Sequence, residues 1–211
     1  MITVFGFPQT RSRRITWMLE ELGQDYEFRL IDFNKGESRS PEYLAINPAG
    51  KVPAMQGDDL LLTESAAIIT YLGDKFPEKK LVPKAGSAER GKFEQWSYFT
   101  LSELEQALWT MGKHRFALPK EQRVPAVLET AEWEFQRALE LLEQGLGDNQ
   151  YILGENFCAA DILLGHTLIW GINFKQTVEQ NNLQEYVKRL KKREALARAI
   201  AKEEAALAKE Q

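Results

Sequence analysis

The order of apolar and polar residues predicts strands and helices in the first part of the chain. Ile2 to Phe5 is a short apolar run typical of a strand, and Tyr26 to Leu30 has the pattern of a second one. Between them, apolar residues recur at helical spacing and predict a helix that begins at Thr10 or Ser12 and ends at Gly23. The chain is therefore expected to start with a strand, a helix and a second strand.

The next segment predicts a loop, a hairpin and another helix. A polar loop from Asn34 to Ser40 leads into a short predicted helix from Pro41 to Ile46. Val52 to Met55 and Leu60 to Leu62 are short strands at the spacing of a β-hairpin, and a helix from Glu64 to about Phe76 follows. This order predicts a mixed four-stranded sheet with helices packed on it, an α/β arrangement.

After a linker-like segment from Pro77 to Ser87, the pattern is helical throughout. The predicted helices are Ala88 to Lys113, Val124 to Gln144, Ala159 to Phe174, Leu183 to Leu190 and Arg193 to Lys209. The helix that begins at Ala159 is apolar on all sides, which indicates burial within a helical bundle. The sequence therefore predicts two domains, residues 1–78 with the mixed sheet and residues 87–211 all-helical.

Composition excludes several classes of protein. No apolar run approaches the roughly 20 residues of a membrane helix, and Met1 to Phe5 lacks the features of a signal peptide. Cys158 is the single cysteine and cannot form an internal disulfide, so we expect a cytoplasmic protein. The net charge of −4 argues against a nucleic-acid or anionic-membrane partner. Two histidines and one cysteine are scattered along the chain, so no metal site is expected.

Positive charge is nevertheless concentrated near the first helix. Arg11, Arg13 and Arg14 lie together in the sequence. Such a cluster would suit a small anionic ligand, although a solvated basic face is the ordinary interpretation of each of these residues.

The most informative pattern is Asn47-Pro48-Ala49-Gly50-Lys51-Val52-Pro53, followed by Thr63-Glu64-Ser65. A proline after Val52, at the entrance of a strand, is a place to expect a cis peptide bond that turns the main chain of Val52 outward. Thr63-Glu64-Ser65 opens a helix, and a helix N-terminus offers unpaired N–H groups to a carboxylate. Side by side, the two elements would hold an extended peptide by its backbone and its carboxylate.

With these motifs, the chain resembles a glutathione transferase over essentially its whole length. The residues that carry the resemblance are Asn47-Pro48-x-Gly50-Lys51-Val52-Pro53, Glu64-Ser65-x-x-Ile68, Tyr71-Leu72, Trp17 to Gly23 and Phe157-x-x-Ala160-Asp161-Ile162. The resemblance implies a thioredoxin-like N-terminal domain, a short linker and an all-helical C-terminal domain. It also implies an enzyme that uses glutathione as co-substrate and conjugates its thiolate to hydrophobic electrophiles, in detoxification.

The resemblance assigns glutathione contacts to particular residues. Val52, followed by a cis Pro53, would hydrogen-bond the cysteinyl backbone through its main chain. Glu64 and Ser65 would hold the γ-glutamyl amino and carboxylate groups, and both residue types suit that task. The glycyl carboxylate needs a cation or another donor, and the candidates are Lys51 first, then Lys35 and Arg39.

Glutathione's thiol must ionise before it attacks, because a free thiol has a pKa of about 8.5. A hydroxyl donor at the start of the first helix would favour the thiolate, and the candidates are Thr10 and Ser12. The family's usual serine position falls on Thr10, whereas Ser12 has the position of a helix cap. A backbone N–H is a third candidate, and Arg11 a further contributor. No Tyr or Cys occupies this segment, which disfavours the Tyr-type and Cys-type branches of the family.

The resemblance also implies a hydrophobic substrate site to which the helical domain contributes. Its candidate residues are Phe7, Tyr98, Trp109, Met111, His114 and Trp170, most of which would serve equally as core. His114 has no partner at useful spacing and is interpreted as structural. The resemblance further implies a homodimer. Two other functions are a glutathione-dependent peroxidase or reductase and a non-catalytic interaction module, and the intact Val52-Pro53 and Glu64-Ser65 motifs disfavour the module.

One position departs from the family's pattern. Asp161 matches a helix-capping motif of the helical domain, in which Ser or Thr usually stands three residues earlier. Here that residue is Cys158, whose sulfur is a weak hydrogen-bond acceptor. The sequence therefore predicts a weakened cap, which Cys158→Ser would strengthen by about 1 kcal/mol.

Overall fold

The structure, a computed structural model, describes residues 1–209 and divides them into two compact units. The sheet unit contains residues 1–82 together with the described residues from Leu190 onward, and the helical unit contains residues 83–189. The boundaries predicted from the sequence, 1–78 and 87–211, place the last helix in the helical domain instead. The last two residues of that predicted domain, 210 and 211, lie outside the described part of the chain.

The sheet unit contains the expected mixed four-stranded sheet. Its strands are β1 (Ile2–Gly6), β2 (Tyr26–Leu30), β3 (Ala54–Gly57) and β4 (Leu60–Thr63). Their order is β2-β1-β3-β4, with β1 parallel to β2 and antiparallel to β3, and β3 antiparallel to β4. The helices of residues 1–82 are α1 (Ser12–Leu22), α2 (Pro41–Ile46) and α3 (Ser65–Lys75), with 3₁₀ turns at Glu37–Arg39 and Pro77–Lys79.

Helix α1 supplies much of the core of this unit. The predicted apolar face of Ile15, Met18, Leu19 and Leu22 is completely buried, as is Trp17. The helix ends where Gly23 adopts a left-handed conformation (φ 68°), as the sequence predicts. Helix α1 contacts both β1 and α3, so its N-terminus is fixed relative to the sheet.

The last helix, α9 (Glu194–Ala208), packs against α1 and β2. Arg193 donates to both carboxylate oxygens of Glu21, at 2.6 and 2.8 Å, and Arg198 pairs with Glu20 at 2.8 Å. These charged pairs span about 170 residues of sequence, which no local pattern reveals. Together with the buried Ala195, Leu196 and Ala199 of α9, they place this helix in the sheet unit rather than in the helical one.

The helical unit follows the predicted succession of helices. It contains α4 (Ala88–Phe99), α5 (Glu105–Gly112), α6 (Val127–Leu146) and α7 (Ala159–Asn173), and most of α8 (Asn181–Lys191), with a 3₁₀ turn at Lys120–Gln122. The single helix predicted from Ala88 to Lys113 instead contains a π-helical segment at Thr100–Leu104, and a second one, Lys113–Ala117, follows α5. Thr100 and Ser102 donate their hydroxyls to the carbonyls of Trp96 and Tyr98, and such back-bonding competes with the regular helical ladder.

Helix α7 is buried along most of its length, as its apolar sequence predicts. Its start is closed by Asp161, which is fully buried. One carboxylate oxygen accepts from the main-chain N–H of Cys158 at 2.8 Å, and the other accepts from the N–H of Ile152 at 2.9 Å and from the Tyr186 hydroxyl at 2.5 Å. The expected capping role of Asp161 is therefore confirmed. Burial raises the pKa of Tyr186, and the neighbouring Asp161 carboxylate raises it further.

Among residues 1–209, no helix has the length and apolar character needed to cross a membrane. Within the same part of the chain, no group of three or more His, Cys, Asp or Glu side chains is arranged to hold a metal ion.

Candidate functional site

Strand register places three predicted site segments at one end of the sheet. Phe5 of β1 pairs with Ala54 of β3, and Ala54 pairs with Thr63 of β4, both in antiparallel fashion. The chain that leaves β1, the chain that enters β3 and the chain that leaves β4 therefore lie side by side. These segments carry Thr10, Val52-Pro53 and Glu64-Ser65 respectively.

The peptide bond between Val52 and Pro53 is cis, as expected. The carbonyl of the preceding Lys51 accepts two hydrogen bonds, from the Tyr43 hydroxyl at 2.6 Å and from the Asn47 side-chain amide at 2.7 Å. The hydrogen bonds that residues 1–209 form outside helices and strands include none from the main chain of Val52. The backbone on one side of Val52 is thus fixed, and its own polar groups are available to a ligand.

Tyr43 and Asn47 are supporting residues that sequence reasoning did not identify. Burial raises the pKa of Tyr43 to about 12, so its hydroxyl remains a donor to Lys51 throughout the neutral range. The Asn47 side chain also accepts from the N–H of Ala49 at 3.1 Å and so closes the Asn-Pro-x-Gly turn. The position of Asn47 in the motif would have indicated the turn but not the bond to Lys51.

The same turn requires glycine at position 50. Gly50 has φ +60°, and a Cβ atom there would lie 2.6 Å from the Ser38 carbonyl and 2.7 Å from the Arg39 guanidinium. Arg39 in turn donates to the Ala49 carbonyl at 3.3 Å. Close packing between these two loops thus holds the segment that leads to Val52.

Helix α3 begins beside Val52 with an open N-terminus. Its first intrahelical hydrogen bond runs from the Ile68 N–H to the Glu64 carbonyl at 3.0 Å, so the N–H groups before Ile68 point out of the helix end. Within the described residues, no side chain caps this helix. Glu64 is exposed and has a positive φ of 66°, an uncommon conformation for a residue with a side chain.

Ser65 is held in place by a hydrogen bond from Arg14. The sequence did not reveal that Arg14 has this supporting role. The Arg14 guanidinium donates to the Ser65 hydroxyl oxygen at 3.0 Å, and Arg14 is fully buried. The interpretation of Arg14 as part of a solvated basic face is therefore wrong. A buried cation under the start of α3 adds positive potential to a helix end that already favours anions.

Thr10 and Ser12 lie together at the start of α1 but differ in exposure. The Thr10 hydroxyl donates to the Phe7 carbonyl at 2.7 Å and lies 2.9 Å from the Ser12 hydroxyl oxygen. Ser12 is fully buried, and its oxygen accepts from the Phe7 N–H at 3.3 Å. A Cβ on Gly6 would lie 2.7 Å from the Ser12 hydroxyl, so the small glycine makes room for it. Of the two hydroxyls, Thr10 is the one that a ligand can reach.

The three candidate cations are all exposed and differ in their neighbours. Lys51 directly precedes Val52, Arg39 donates to the loop carbonyl of Ala49, and Lys35 lies 4.0 Å from the Asp32 carboxylate. Lys51 is therefore the cation that chain position places nearest to the Val52 main chain.

Two of the residues predicted for the hydrophobic substrate site, Met111 and His114, are held by contacts within the protein. Met111 is completely buried, so no substrate can reach it, and its assignment to the substrate site needs correction. The Nδ1 atom of His114 accepts from the Val124 N–H at 3.0 Å, a contact that agrees with its structural interpretation.

The remaining four candidates are at least partly exposed. Phe7 packs against Phe33 in the sheet unit, with ring centroids 5.2 Å apart. In the helical unit, Trp170 packs edge-on against Phe174, with centroids 5.4 Å apart. A Cβ on Gly112 would lie 3.5 Å from Trp109 and 3.7 Å from Phe174, so these rings surround a small residue. Tyr98 is 63% exposed and lies outside this aromatic cluster.

Comparison with known proteins agrees with this geometry. Residues 1–74 match the family model described as the glutathione S-transferase N-terminal domain. Glutathione S-transferase GstB of Escherichia coli K12 is 31% identical over 206 residues, which cover 95% of this chain and 98% of GstB. The chain belongs to the glutathione S-transferase family. Glutathione S-transferases are enzymes that use glutathione as co-substrate, and the sheet unit has their thioredoxin-like fold.

Two further relatives extend the comparison. The disulfide-bond oxidoreductase YfcG of Escherichia coli K12 is 32% identical over 169 residues, which cover 77% of this chain and 76% of YfcG. A crystal structure of a glutathione transferase from Burkholderia graminis superposes with a TM-score of 0.83 at 29% identity, covering 94% of this chain and 87% of that one. That protein has two glutathione molecules bound per subunit.

Proposed function

We propose that this glutathione S-transferase conjugates glutathione to hydrophobic electrophiles and binds glutathione at the sheet end described above. Within residues 1–209, the observation that carries the proposal is the cis Val52-Pro53 bond, with no internal hydrogen bond from the Val52 main chain, beside the uncapped N-terminus of α3. An extended tripeptide would pair with Val52 through its cysteinyl backbone. Its γ-glutamyl carboxylate would accept from Ser65 and the helix N–H groups, and Glu64 would accept from its ammonium group.

The other end of the tripeptide requires a positive charge. Lys51 is the first candidate because it directly precedes Val52 in a loop fixed by Tyr43 and Asn47. Arg39 and Lys35 border the same region and would act as secondary partners of the glycyl carboxylate. An exposed ion pair of this kind contributes at most about 1 kcal/mol to binding.

The thiolate would be stabilised by the Thr10 hydroxyl and by the N-terminus of α1. Both favour the charged form of a thiol, and together they would lower its pKa below the ordinary value of about 8.5. Ser12 is buried behind Thr10 and would hold the Thr10 hydroxyl in place rather than contact the sulfur. The nucleophile would then attack the electrophile and displace its leaving group or open its ring.

The test is a titration of glutathione bound to Thr10→Ala and Ser12→Ala, followed by thiolate absorbance. The single hydroxyl proton of Thr10, donated to the Phe7 carbonyl in this structure, would turn to the thiolate when glutathione binds. Thr10→Ala is therefore expected to raise the pKa of the bound thiol by about one unit. The pH profile of kcat would move upward by the same amount, and Thr10→Ser would restore it. An unchanged thiol pKa in both alanine variants would exclude activation by a side-chain hydroxyl.

A glutathione-dependent disulfide reductase is the second candidate, favoured by the similarity to YfcG. In that reaction one glutathione thiolate would attack the substrate disulfide, and a second glutathione would resolve the mixed disulfide to glutathione disulfide and two substrate thiols. Cys158 is buried and would take no part. Assays with aryl halides, epoxides, organic hydroperoxides and a small disulfide separate the activities, and Cys158→Ser would leave all of them unchanged.

Of the aromatic residues predicted to contact a hydrophobic substrate, Phe7 in the sheet unit and Tyr98, Trp109 and Trp170 in the helical unit are accessible. A cytoplasmic homodimer with a role in detoxification fits the family. Light scattering at micromolar concentration tests the assembly, and a monomeric mass would contradict it.

A further inference from the structure

The loop that carries Thr10 is held in an unusual conformation. Gln9, directly before Thr10, has a positive φ of 61°, which is uncommon for a residue with a side chain. Directly after Thr10 the chain turns into α1, where the Arg13 N–H donates to the Thr10 carbonyl at 3.1 Å. A conformation of this kind persists only when surrounding contacts fix it.

Besides the hydrogen bonds among Phe7, Thr10 and Ser12, this loop is held by a carboxylate of the last helix. Glu203 of α9 is fully buried, and its Oε2 atom accepts from the Arg13 Nε and Nη2 atoms at 3.1 and 2.8 Å. Its Oε1 atom accepts from the Thr16 hydroxyl at 2.7 Å. Burial raises the pKa of Glu203, whereas the Arg13 guanidinium, the Thr16 hydroxyl and the Gln9 main-chain amide oppose that rise. The hydrogen bonds of Glu203 therefore fix the start of α1 directly after Thr10, at Arg13 and Thr16.

The anchoring of α9 to α1 does not by itself require this arrangement. Arg193 with Glu21 and Arg198 with Glu20 already connect the two helices at the C-terminal half of α1. Both of those pairs retain some exposure, whereas the Glu203 carboxylate has none. A buried carboxylate is costly unless it is well paired, so its place beside the Thr10 loop calls for a role that helix anchoring does not supply.

We infer that Glu203 is a positioning residue that fixes the loop from Gln9 to Arg13 and thereby aims the Thr10 hydroxyl. The effect on catalysis rests on the proposed function, whereas the effect on the loop does not. Without the carboxylate, the loop would sample other conformations, and the Thr10 hydroxyl would be misplaced for part of the time. Misplacement of a catalytic group by about 1 Å lowers turnover by up to two orders of magnitude.

The experiment compares Glu203→Gln with the matched control Glu21→Gln in the full-length protein. Each substitution neutralises one carboxylate in an α1–α9 ion pair, but Glu21 lies at the opposite end of α1 from Thr10. The first measurement is amide hydrogen exchange of a peptide covering residues 7–14, which needs no glutathione. Glu203→Gln is expected to accelerate exchange there about tenfold, and Glu21→Gln to leave it unchanged.

The second measurement is catalysis with glutathione. Glu203→Gln is expected to raise the pKa of the bound thiol and to lower kcat about tenfold, while KM for glutathione changes less than about twofold. A merely structural role would lower the melting temperature, more for the buried Glu203 than for Glu21, and leave the thiol pKa unchanged. If Glu203→Gln does not fold, Arg13→Gln breaks the same ion pair and is expected to give the same two results.

The outcomes separate the two proposals. Equal exchange of the 7–14 peptide in Glu203→Gln and Glu21→Gln overturns the positioning role, whatever the activity. If Glu203→Gln exchanges faster but the wild-type enzyme does not lower the pKa of bound glutathione's thiol, the positioning role of Glu203 is supported. The same result overturns the activation proposed for Thr10. Faster exchange together with a raised thiol pKa supports both.

Discussion

Helix α7 begins with its first turn and the preceding chain tied to Asp161, whereas helix α3 begins with no side-chain cap within the described residues. The Asp161 carboxylate accepts three hydrogen bonds and is inaccessible to any ligand. At α3, in contrast, the residue before the helix is exposed and the helix N–H groups face outward.

The difference indicates what each helix start does. Polar groups satisfied inside the protein stabilise the fold, since a buried group left without a partner costs about 1–3 kcal/mol. A helix start without an internal cap instead retains donors for an anion from outside. Changes at Asp161 should therefore alter stability and leave glutathione binding intact. Changes at Ser65 should weaken glutathione binding and cost less stability, although the Ser65 hydroxyl also accepts from the buried Arg14 guanidinium.

The largest effect is expected from Asp161→Ala. It removes the acceptor of the Ile152 N–H, the Cys158 N–H and the Tyr186 hydroxyl, all in the interior. The free energy of unfolding should fall by about 3–5 kcal/mol, as measured by denaturant titration. Asp148→Ala, at an exposed turn, is the control and should change it by less than about 0.5 kcal/mol. If Asp161→Ala lowered the free energy of unfolding as little as the control does, the internal cap of α7 would not stabilise the fold, and the contrast with α3 would fail.

A smaller loss of stability, together with an effect on binding, is expected from Ser65→Ala, which removes the hydroxyl that accepts from the buried Arg14 guanidinium. The dissociation constant of glutathione, measured by calorimetry, should rise about tenfold because the donor proposed for the γ-glutamyl carboxylate is lost. The control is Ser87→Ala, which removes a serine that accepts from the Arg90 N–H at 3.1 Å at the start of α4. That variant should lose about 1 kcal/mol of stability and keep its affinity. Equal affinities in the two variants would contradict an open, ligand-binding start at α3.

The smallest effect is expected from Cys158→Ser, which would strengthen the cap at the start of α7 rather than remove it. Cys158 is the N-cap residue of α7, and its buried sulfur is a weaker acceptor than a hydroxyl oxygen. The substitution should stabilise the protein by about 1 kcal/mol and raise the melting temperature without altering glutathione affinity. The reverse exchange, Ser87→Cys at α4, should lower the melting temperature. A decreased or unchanged value for Cys158→Ser would show that the cap does not limit stability.

Much of the fold follows from local patterns in the sequence. Alternation and helical spacing predict the β-α-β and β-β-α order, and the apolar character of residues 159–173 predicts a buried helix. The Val52-Pro53 motif predicts the cis bond, since proline is the residue that permits it. The placement of Ser65 beside Val52 follows because the two flank a single hairpin.

The remaining features depend on contacts between distant charged residues. Arg14 and Glu203 are charged residues in amphipathic helices, for which exposure is the ordinary expectation, yet both are fully buried. Arg13 finds its partner 190 residues away, and no spacing rule connects the two positions. The preference for Thr10 over Ser12 could be stated from the sequence, but the burial of Ser12 depends on the close approach of Gly6.

Because the last helix, α9, packs in the sheet unit, the order of synthesis affects when that unit is completed. All four strands and α1 leave the ribosome well before residue 203 is translated, so the newly made Thr10 loop lacks its carboxylate partner. At synthesis rates of about 5–20 residues per second, that interval lasts roughly ten seconds or more. During this time the nascent chain would have a sheet but not yet a finished thiol-activating loop.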